Sequence, residues 1–191
     1  AKLPPCLIGM EACSGAHHWA REFSRFGHSV RLMAPKFVVP YRLSGKRGKN
    51  DAADAAAICE AVQRPAMRFV PVKDEAQQAH LTLHRVRQGF VTERTAMINR
   101  LRGLLAEFGH VLPLRASVVR RQARAAIETL PSLAREALED LLVTIAQLDE
   151  RITAYDTKLR QIARQDRRIT RLMTLPGVGE TSAGALVASI G

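Results

Sequence analysis

The chain has 191 residues, of which 47% are hydrophobic, and its 29 Lys and Arg outnumber its 18 Asp and Glu to give a formal net charge of +11. This length and composition exclude a disordered chain and are sufficient for one buried core or two small ones. No apolar run approaches the roughly 18 residues of a membrane span, and no secretory signal is present. The sequence therefore predicts a soluble cytoplasmic protein with a polyanionic partner.

The three cysteines, Cys6, Cys13 and Cys59, have neither an even count nor the spacing of a zinc knuckle. Reduced thiols in or near the core are therefore predicted. The chain begins with Ala1 rather than Met, and it ends at Gly191 directly after an apolar helical pattern. We expect further residues at both ends of the parent protein.

The first third of the chain has the pattern of a parallel α/β unit. Residues 7–10 predict a short buried strand, residues 16–26 carry apolar side chains at helical spacing, and residues 28–33 predict a second strand. A strand, a helix and a strand with short joins favour a right-handed parallel crossover. Sites in such sheets collect at the carboxyl ends of the strands, where Glu11 lies. Trp19 is interpreted as a core residue.

A basic stretch follows the second strand. Lys46, Arg47 and Lys49 lie among glycines in a loop that cannot pack a core, and they are predicted to contact nucleic acid. Asn50 or Asp51 can cap the helix that follows, because a side-chain oxygen there satisfies an orphan amide.

Two carboxylates, Asp51 and Asp54, lie three residues apart at the head of that helix and share one face. Asp51 alone is also explained as a capping or first-turn acid that the helix dipole favours. The pair repel each other, and a hard divalent ion such as Mg²⁺, which prefers oxygen ligands and substrate phosphates, relieves that repulsion. With Glu11, two ions about 3.5 to 4 Å apart would clamp the attacking and leaving oxygens of a phosphodiester. We therefore predict catalytic and metal-binding roles for Glu11, Asp51 and Asp54.

Positive charge is concentrated in the middle of the chain, where residues 81–130 carry 9 Lys and Arg against 3 Asp and Glu. From about residue 75 to residue 108 the spacing predicts a long helix with a narrow apolar seam. Members of this seam are Phe90, Met97, Leu101, Leu104 and Phe108. Arginines on the other faces are predicted to bind phosphate, since the guanidinium fork suits it. These are Arg85, Arg87, Arg94, Arg100 and Arg102. A solvated basic surface is the alternative.

A second long helix is predicted between Leu138 and Ile162, where apolar residues recur at threes and fours as in a coiled coil. Spacing leaves open whether this seam packs against the Arg-rich helix of the same chain or against a second copy.

Near the end, residues 172–183 predict a helix, a glycine hairpin and another helix. Gly177 and Gly179 would free backbone amides for an anion at the start of the last helix, as in helix-hairpin-helix modules that hold DNA. The same glycines are also explained by a tight turn.

Five sequence blocks, in order, resemble the DEDD transposases of bacterial insertion sequences, the IS110 group and specifically its IS1111 branch. The blocks are residues 8–20, 45–57, 68–73, 101–109 and 175–179. The resemblance extends from about residue 6 to the end of the chain.

The fold that this resemblance implies is α/β plus α. Residues 1–75 would form a partial RuvC-like, ribonuclease-H-type domain, residues 76–165 Arg-rich long helices and a coiled-coil insertion, and residues 166–191 the start of a helical transposase domain with a helix-hairpin-helix-like motif. The family's second acid matches Glu11, and its third and fourth match Asp51 and Asp54, all binding Mg²⁺. The family's first aspartate belongs to an earlier strand, and its serine nucleophile lies beyond Gly191.

The resemblance further implies that the parent protein recombines DNA with a guide non-coding RNA, as a homo-oligomer (dimer or tetramer) in the bacterial cytoplasm, whereas this fragment alone is inactive. Two other functions remain open. The chain would be a nucleic-acid-binding and oligomerisation module if Glu11, Asp51 and Asp54 only cap a helix or face solvent. A stand-alone RuvC-like junction nuclease uses related acids but does not need the long heptad insertion or the glycine hairpin.

Overall fold

A computed structural model describes residues 3–42, 50–113 and 115–190, apart from the side chains of Ala116, Ser117 and Arg120. The described chain divides into two compact units, one formed by residues up to 78 together with Ile190 and one formed by residues 79–189. Within the described ranges, no helix is both long enough and apolar enough to cross a membrane.

The first unit contains a small three-stranded sheet. Strand β1 (Leu7–Glu11) pairs in parallel with β2 (Ser29–Met33), and β2 pairs antiparallel with the two-residue strand β3 (Phe69–Val70). Helix α1 (Ala16–Arg25) connects the two parallel strands, so the predicted strand, helix and strand are confirmed. Strand β3 was not predicted, because two residues are too few to show an alternating pattern.

Further helical segments follow β2. They are α2 (Pro35–Val38), a 3-10 turn (Val39–Tyr41) and α3 (Asp51–Val62). Consecutive side chains of a strand point to opposite faces of the sheet, and β2 has buried side chains on both faces. Leu32 packs with Ala16 and Ala20 of α1, whereas Met33 packs in a separate cluster with side chains of α2 and α3. The sheet therefore lies between α1 on one face and α3 on the other.

Two interpretations of side chains in this unit were wrong. The buried face of α1 consists of the small residues Ala16 and Ala20, whereas Trp19 is 53% exposed and is not a core residue. Cys6, Cys13 and Cys59 are free thiols, as predicted, but all three are exposed. Residue type alone does not show which side of a short helix or turn meets the sheet.

The rest of the described chain is helical. Its helices are α4 (Glu75–Ala106), α5 (Ala116–Glu128), α6 (Ser132–Gln165), α7 (Arg167–Leu172) and α8 (Glu180–Ile190). Both predicted long helices are confirmed, as are the two helices that flank the glycine hairpin. Helix α5 was not predicted, although its buried residues Val119, Ala123 and Ile127 recur every four positions.

Helices α4 and α6 pack against each other in antiparallel fashion within the chain. Arg87 donates to Asp156, and Arg94 donates to Asp149 at 2.9 Å. The residue number rises by seven along α4 while it falls by seven along α6, so the two helices run in opposite directions. Between these pairs the Phe90 ring meets the Tyr155 ring edge-on, with centroids 5.7 Å apart. The α6 seam thus has a partner in its own chain, and oligomer formation stays a prediction.

The apolar seam of α4 agrees with the predicted one at Phe90, Met97 and Leu101 and departs from it further along the helix. Ile98, Leu101 and Leu105 are buried in a core cluster with side chains of α5 and α6. Leu104 and Phe108, which the sequence placed in the seam, are exposed. The difference arises because both α5 and α6 contribute side chains to the cluster that buries α4. A helix face that packs against two helices is wider than, and centred differently from, the narrow seam that packs against one.

Two histidines one turn apart on α4 form a pair in which His84 is buried and His80 is partly buried. The Nε2 atoms of His80 and His84 are 3.3 Å apart, and a Cβ added to Gly184 of α8 would lie 3.0 Å from Nε2 of His84. Burial lowers the pKa of both imidazoles below the ordinary 6.5. The neighbouring His80 and Arg87 lower the His84 pKa further, whereas near His80 the charge of Asp166 raises the pKa and that of Arg168 lowers it.

This pair predicts a loss of stability in mild acid. The unfolded chain takes up protons as the pH falls through 6.5, whereas the folded chain resists protonation, so the free energy of unfolding declines below that pH. Urea unfolding at several pH values between about 7.5 and 5.5 measures this slope. His84→Gln should flatten it, whereas His18→Gln, at an exposed histidine of the first unit, should not. Equal slopes in both variants would contradict the assignment.

Candidate functional site

Close packing of α3 on β1 brings two of the predicted acids together. A Cβ on Gly9 would lie 2.9 Å from Cβ of Val62 and 3.2 Å from Cγ2 of Ile58, so the glycine lets the helix approach the strand. From Gly9 the strand advances about 7 Å to Glu11, and from Ile58 the helix runs back about 6 Å to Asp54. Both carboxylates therefore lie at the same end of the unit, at the carboxyl end of β1.

One guanidinium joins these two acids. Arg42 follows the 3-10 turn, and its Nη2 donates to Oε1 of Glu11 at 2.8 Å while its Nε lies 3.2 Å from Oδ1 of Asp54. Nε and Nη2 form the edge with which an arginine commonly grips one carboxylate. Here that edge is divided between two carboxylates from different elements, so Glu11 and Asp54 converge on a single cation.

Asp51 is on the same helix but does not complete a three-acid cluster. The helix is capped by Asn50, whose side-chain oxygen accepts from the Ala53 amide at 2.8 Å, so Asp51 is not the capping residue. Asp51 is exposed. Across the described ranges, no group of three or more His, Cys, Asp or Glu side chains is arranged to hold a metal ion. Of the three predicted ligands, the structure brings together Glu11 and Asp54.

The chemistry of this donor set nevertheless fits a divalent cation. Two carboxylates carry two negative charges, and the Arg42 guanidinium compensates one of them. Glu11 and Asp54 are only partly exposed, which strengthens their need for a counter-charge. Hard oxygen donors of this kind are the ligands that Mg²⁺ and Mn²⁺ take, with water and phosphate completing the shell. A metal ion at these oxygens requires the guanidinium to move.

The predicted phosphate-binding arginines of α4 occupy three different environments. Arg85 and Arg100 are exposed, whereas Arg87 and Arg94 are engaged by Asp156 and Asp149 of α6. Arg102 is half-buried and lines a cavity of about 350 Å³ together with Asn99, Gly103, Ala106, Val111 and Leu112. Two of the five are thus held in ion pairs within the chain. Lys46, Arg47 and Lys49 lie outside the described residues.

The glycine hairpin is a tight turn in the described structure. Gly177 has φ +81°, and the amide of Val178 donates to the carbonyl of Leu175 at 3.1 Å. A Cβ added to Gly177 or Gly179 would meet no atom within 4 Å, so both glycines face open space. In the first turn of α8, Glu180 lies 3.3 Å from Nε of Arg160. An anion approaching this helix start would meet that carboxylate as well as the free amides.

Sequence reasoning did not single out Arg42. The residue has no local pattern that marks it, and its contacts to Glu11 and Asp54 span 31 and 12 positions of the chain. The nearest available signal was its place in the basic stretch of residues 41–49, from which Lys46, Arg47 and Lys49 were assigned to nucleic acid.

Comparison with known proteins gives consistent matches. The sequence model of the IS110-group DEDD family, described as a transposase, matches residues 1–110. A Pseudomonas aeruginosa protein named "Probable family 20 transposase" is 46% identical, over 100% of this chain and 57% of its own length. The transposase for insertion sequence element IS1328 of Yersinia enterocolitica is 40% identical over 100% of this chain and 57% of its own length.

The transposase for insertion sequence element IS1111A of Coxiella burnetii is 38% identical over 97% of this chain and 51% of its own length. The chain spans about half the length of the curated relatives it matches.

Proposed function

This chain belongs to the IS110-group DEDD transposase family, and on that premise we propose that Glu11, Asp51 and Asp54 are acids with which its parent protein holds Mg²⁺ against DNA. The parent is then a metal-dependent transposase of an insertion sequence. The observation that carries the proposal is the pairing of Glu11 and Asp54 with one guanidinium, because it joins acids from two elements at one cation.

Each residue has a role in this proposal. When bound, divalent metal neutralises phosphate charge and activates the attacking oxygen. Glu11 and Asp54 provide oxygen ligands from the strand end and the helix, and Asp51 adds a third carboxylate from the same face of α3. Arg42 releases the two acids and turns its guanidinium towards a phosphate oxygen, which it can engage with two parallel hydrogen bonds.

The remaining parts of the chain are assigned to nucleic-acid binding and assembly. Arg85 and Arg100 are exposed on α4 and would contact phosphates of the DNA or of a guide RNA without reading sequence. Gly177 and Gly179 would present amides to a backbone phosphate. The proposal also divides the chain into three parts, with boundaries near residues 75 and 165. It further includes assembly of the parent protein into a homo-oligomer, and a serine nucleophile in the rest of the parent.

Metal binding by the chain itself tests the site. Titration calorimetry with MnCl₂ should show that Arg42→Gln binds the ion at least about tenfold more tightly than the unmodified chain, because the ion no longer has to displace a cation. Glu11→Gln and Asp54→Asn should each weaken binding by a similar factor. Arg64→Gln is the matched control, since Arg64 also pairs with an acid of α3, but with Glu60 rather than with a proposed ligand.

A second function has one specific observation in its favour. The Arg42 ion pairs satisfy Glu11 and Asp54 without any metal, as expected of a binding and assembly module in which the acids are structural. In that case Arg42→Gln would lower stability and leave MnCl₂ binding no tighter than in Arg64→Gln. That result would contradict the metal site.

A further inference from the structure

Helix α1 presents an aromatic face to solvent. Trp19 is 53% exposed and Phe26 is 73% exposed. The Trp19 ring stacks on Phe23, with centroids 5.9 Å apart and planes 28° apart, and His18 meets its edge at 5.2 Å. The indole is therefore held by aromatic neighbours, while about half of it remains open to solvent.

The indole follows Glu11 closely along the chain. The turn between β1 and α1 starts at Glu11, whose carbonyl accepts from the Cys13 amide at 2.8 Å. Gly15 ends the turn with φ +79°, and a Cβ added there would lie 3.8 Å from Cδ1 of Trp19. Trp19 thus lies one turn into the helix that follows the carboxyl end of β1, and Glu11 is the last residue of that strand.

We infer that Trp19 stacks on an unpaired nucleobase of the nucleic acid that the proposed function brings to this unit. The inference rests on the proposed function. Every base has a π-face, so an exposed indole binds single-stranded DNA or RNA without base preference. Phe23 supports the ring from one side, so little conformational freedom is lost when a base packs against it.

A nucleobase fits this surface better than an apolar protein partner does. The chain carries a net charge of +11, which draws nucleic acid to its surface and repels a second copy. Among the described residues, the rings next to Trp19 are one histidine and one phenylalanine, His18 and Phe23, whereas subunit interfaces are built around a broad apolar centre.

Intrinsic fluorescence gives a direct test, because Trp19 is the only tryptophan of the chain. Titrating the unmodified chain with short single-stranded oligonucleotides, one of thymidine and one of uridine, should quench the emission as the base stacks. Anisotropy of the same oligonucleotides, labelled, should show about tenfold weaker binding by Trp19→Leu and near-normal binding by Trp19→Phe. Phe26→Leu, at the residue that caps the end of the same helix, should bind like the unmodified chain. Blunt duplex DNA of equal length should bind all four proteins equally.

Three results would overturn the inference. If the labelled oligonucleotides bind while the emission stays constant and Trp19→Leu binds normally, Trp19 does not stack and the proposed function still stands. If the emission changes with protein concentration alone and sedimentation shows a dimer that Trp19→Leu loses, a second copy covers the surface. If no oligonucleotide binds, the nucleic-acid function fails as well. Quenching by only one of the two oligonucleotides would support stacking and assign it to DNA or to RNA.

Discussion

Asp54→Asn in the full-length parent protein is expected to lower the rate of DNA strand cleavage by at least about 100-fold, since a metal ligand supplies several kcal/mol of transition-state stabilisation. The amide keeps the shape of the side chain and its place on α3, so folding and nucleic-acid binding should be retained. Single-turnover cleavage of a labelled DNA end in the presence of Mg²⁺ measures the loss.

The control for this substitution is Asp74→Asn. Asp74 accepts from the Gln77 amide at 2.6 Å near the start of α4, and an asparagine oxygen can accept the same bond. The control should therefore cleave normally. If Asp54→Asn cleaves as fast as Asp74→Asn does, the acids are structural and the chain is a binding module.

Leu101→Ala is expected to lower the free energy of unfolding of the helical unit by about 2 to 5 kcal/mol, because it leaves a cavity where a side chain is fully buried. Leu101 has no exposed surface and packs in the cluster formed by α4, α5 and α6. Urea unfolding followed by helical circular dichroism measures the change.

Leu104→Ala is the matched control, with the same atoms removed three residues further along α4. Leu104 is 42% exposed, so its truncation should cost less than about 1 kcal/mol. Similar losses for the two variants would mean that the seam of α4 has the register the sequence predicted, rather than the one in the structure.

Much of the fold was predictable because its signals are local. The strand ends at Glu11, the first helix follows the turn, and Asn50 caps α3 through the Ala53 amide, each a matter of a few neighbouring residues. The long helices α4 and α6 were equally clear from their apolar spacing. Helix α5 shows the limit of this approach. Its arginines interrupt the sequence, and the apolar residues that recur every four positions were not recognised as a buried helix face.

The candidate site was predictable only in part. The sequence placed Glu11 at the end of a strand and Asp54 on a helix face with Asp51, whereas their common counter-ion, Arg42, carries no pattern in the sequence. Arg87 and Arg94 were predicted to bind phosphate, yet the acids that engage them stand 69 and 55 positions away. Contacts at such separation depend on how the helices dock.

By itself, then, the sequence determined the α/β start, the two long helices, the glycine turn and the resemblance to a transposase family, because spacing, caps and motifs act over short stretches of chain. Only the tertiary structure decided that Trp19 faces solvent, that Leu105 rather than Leu104 is buried, and that Arg42 lies between two acids. The physical reason is that burial and charge pairing depend on which elements pack together, and Gly9 shows this directly by letting α3 approach β1.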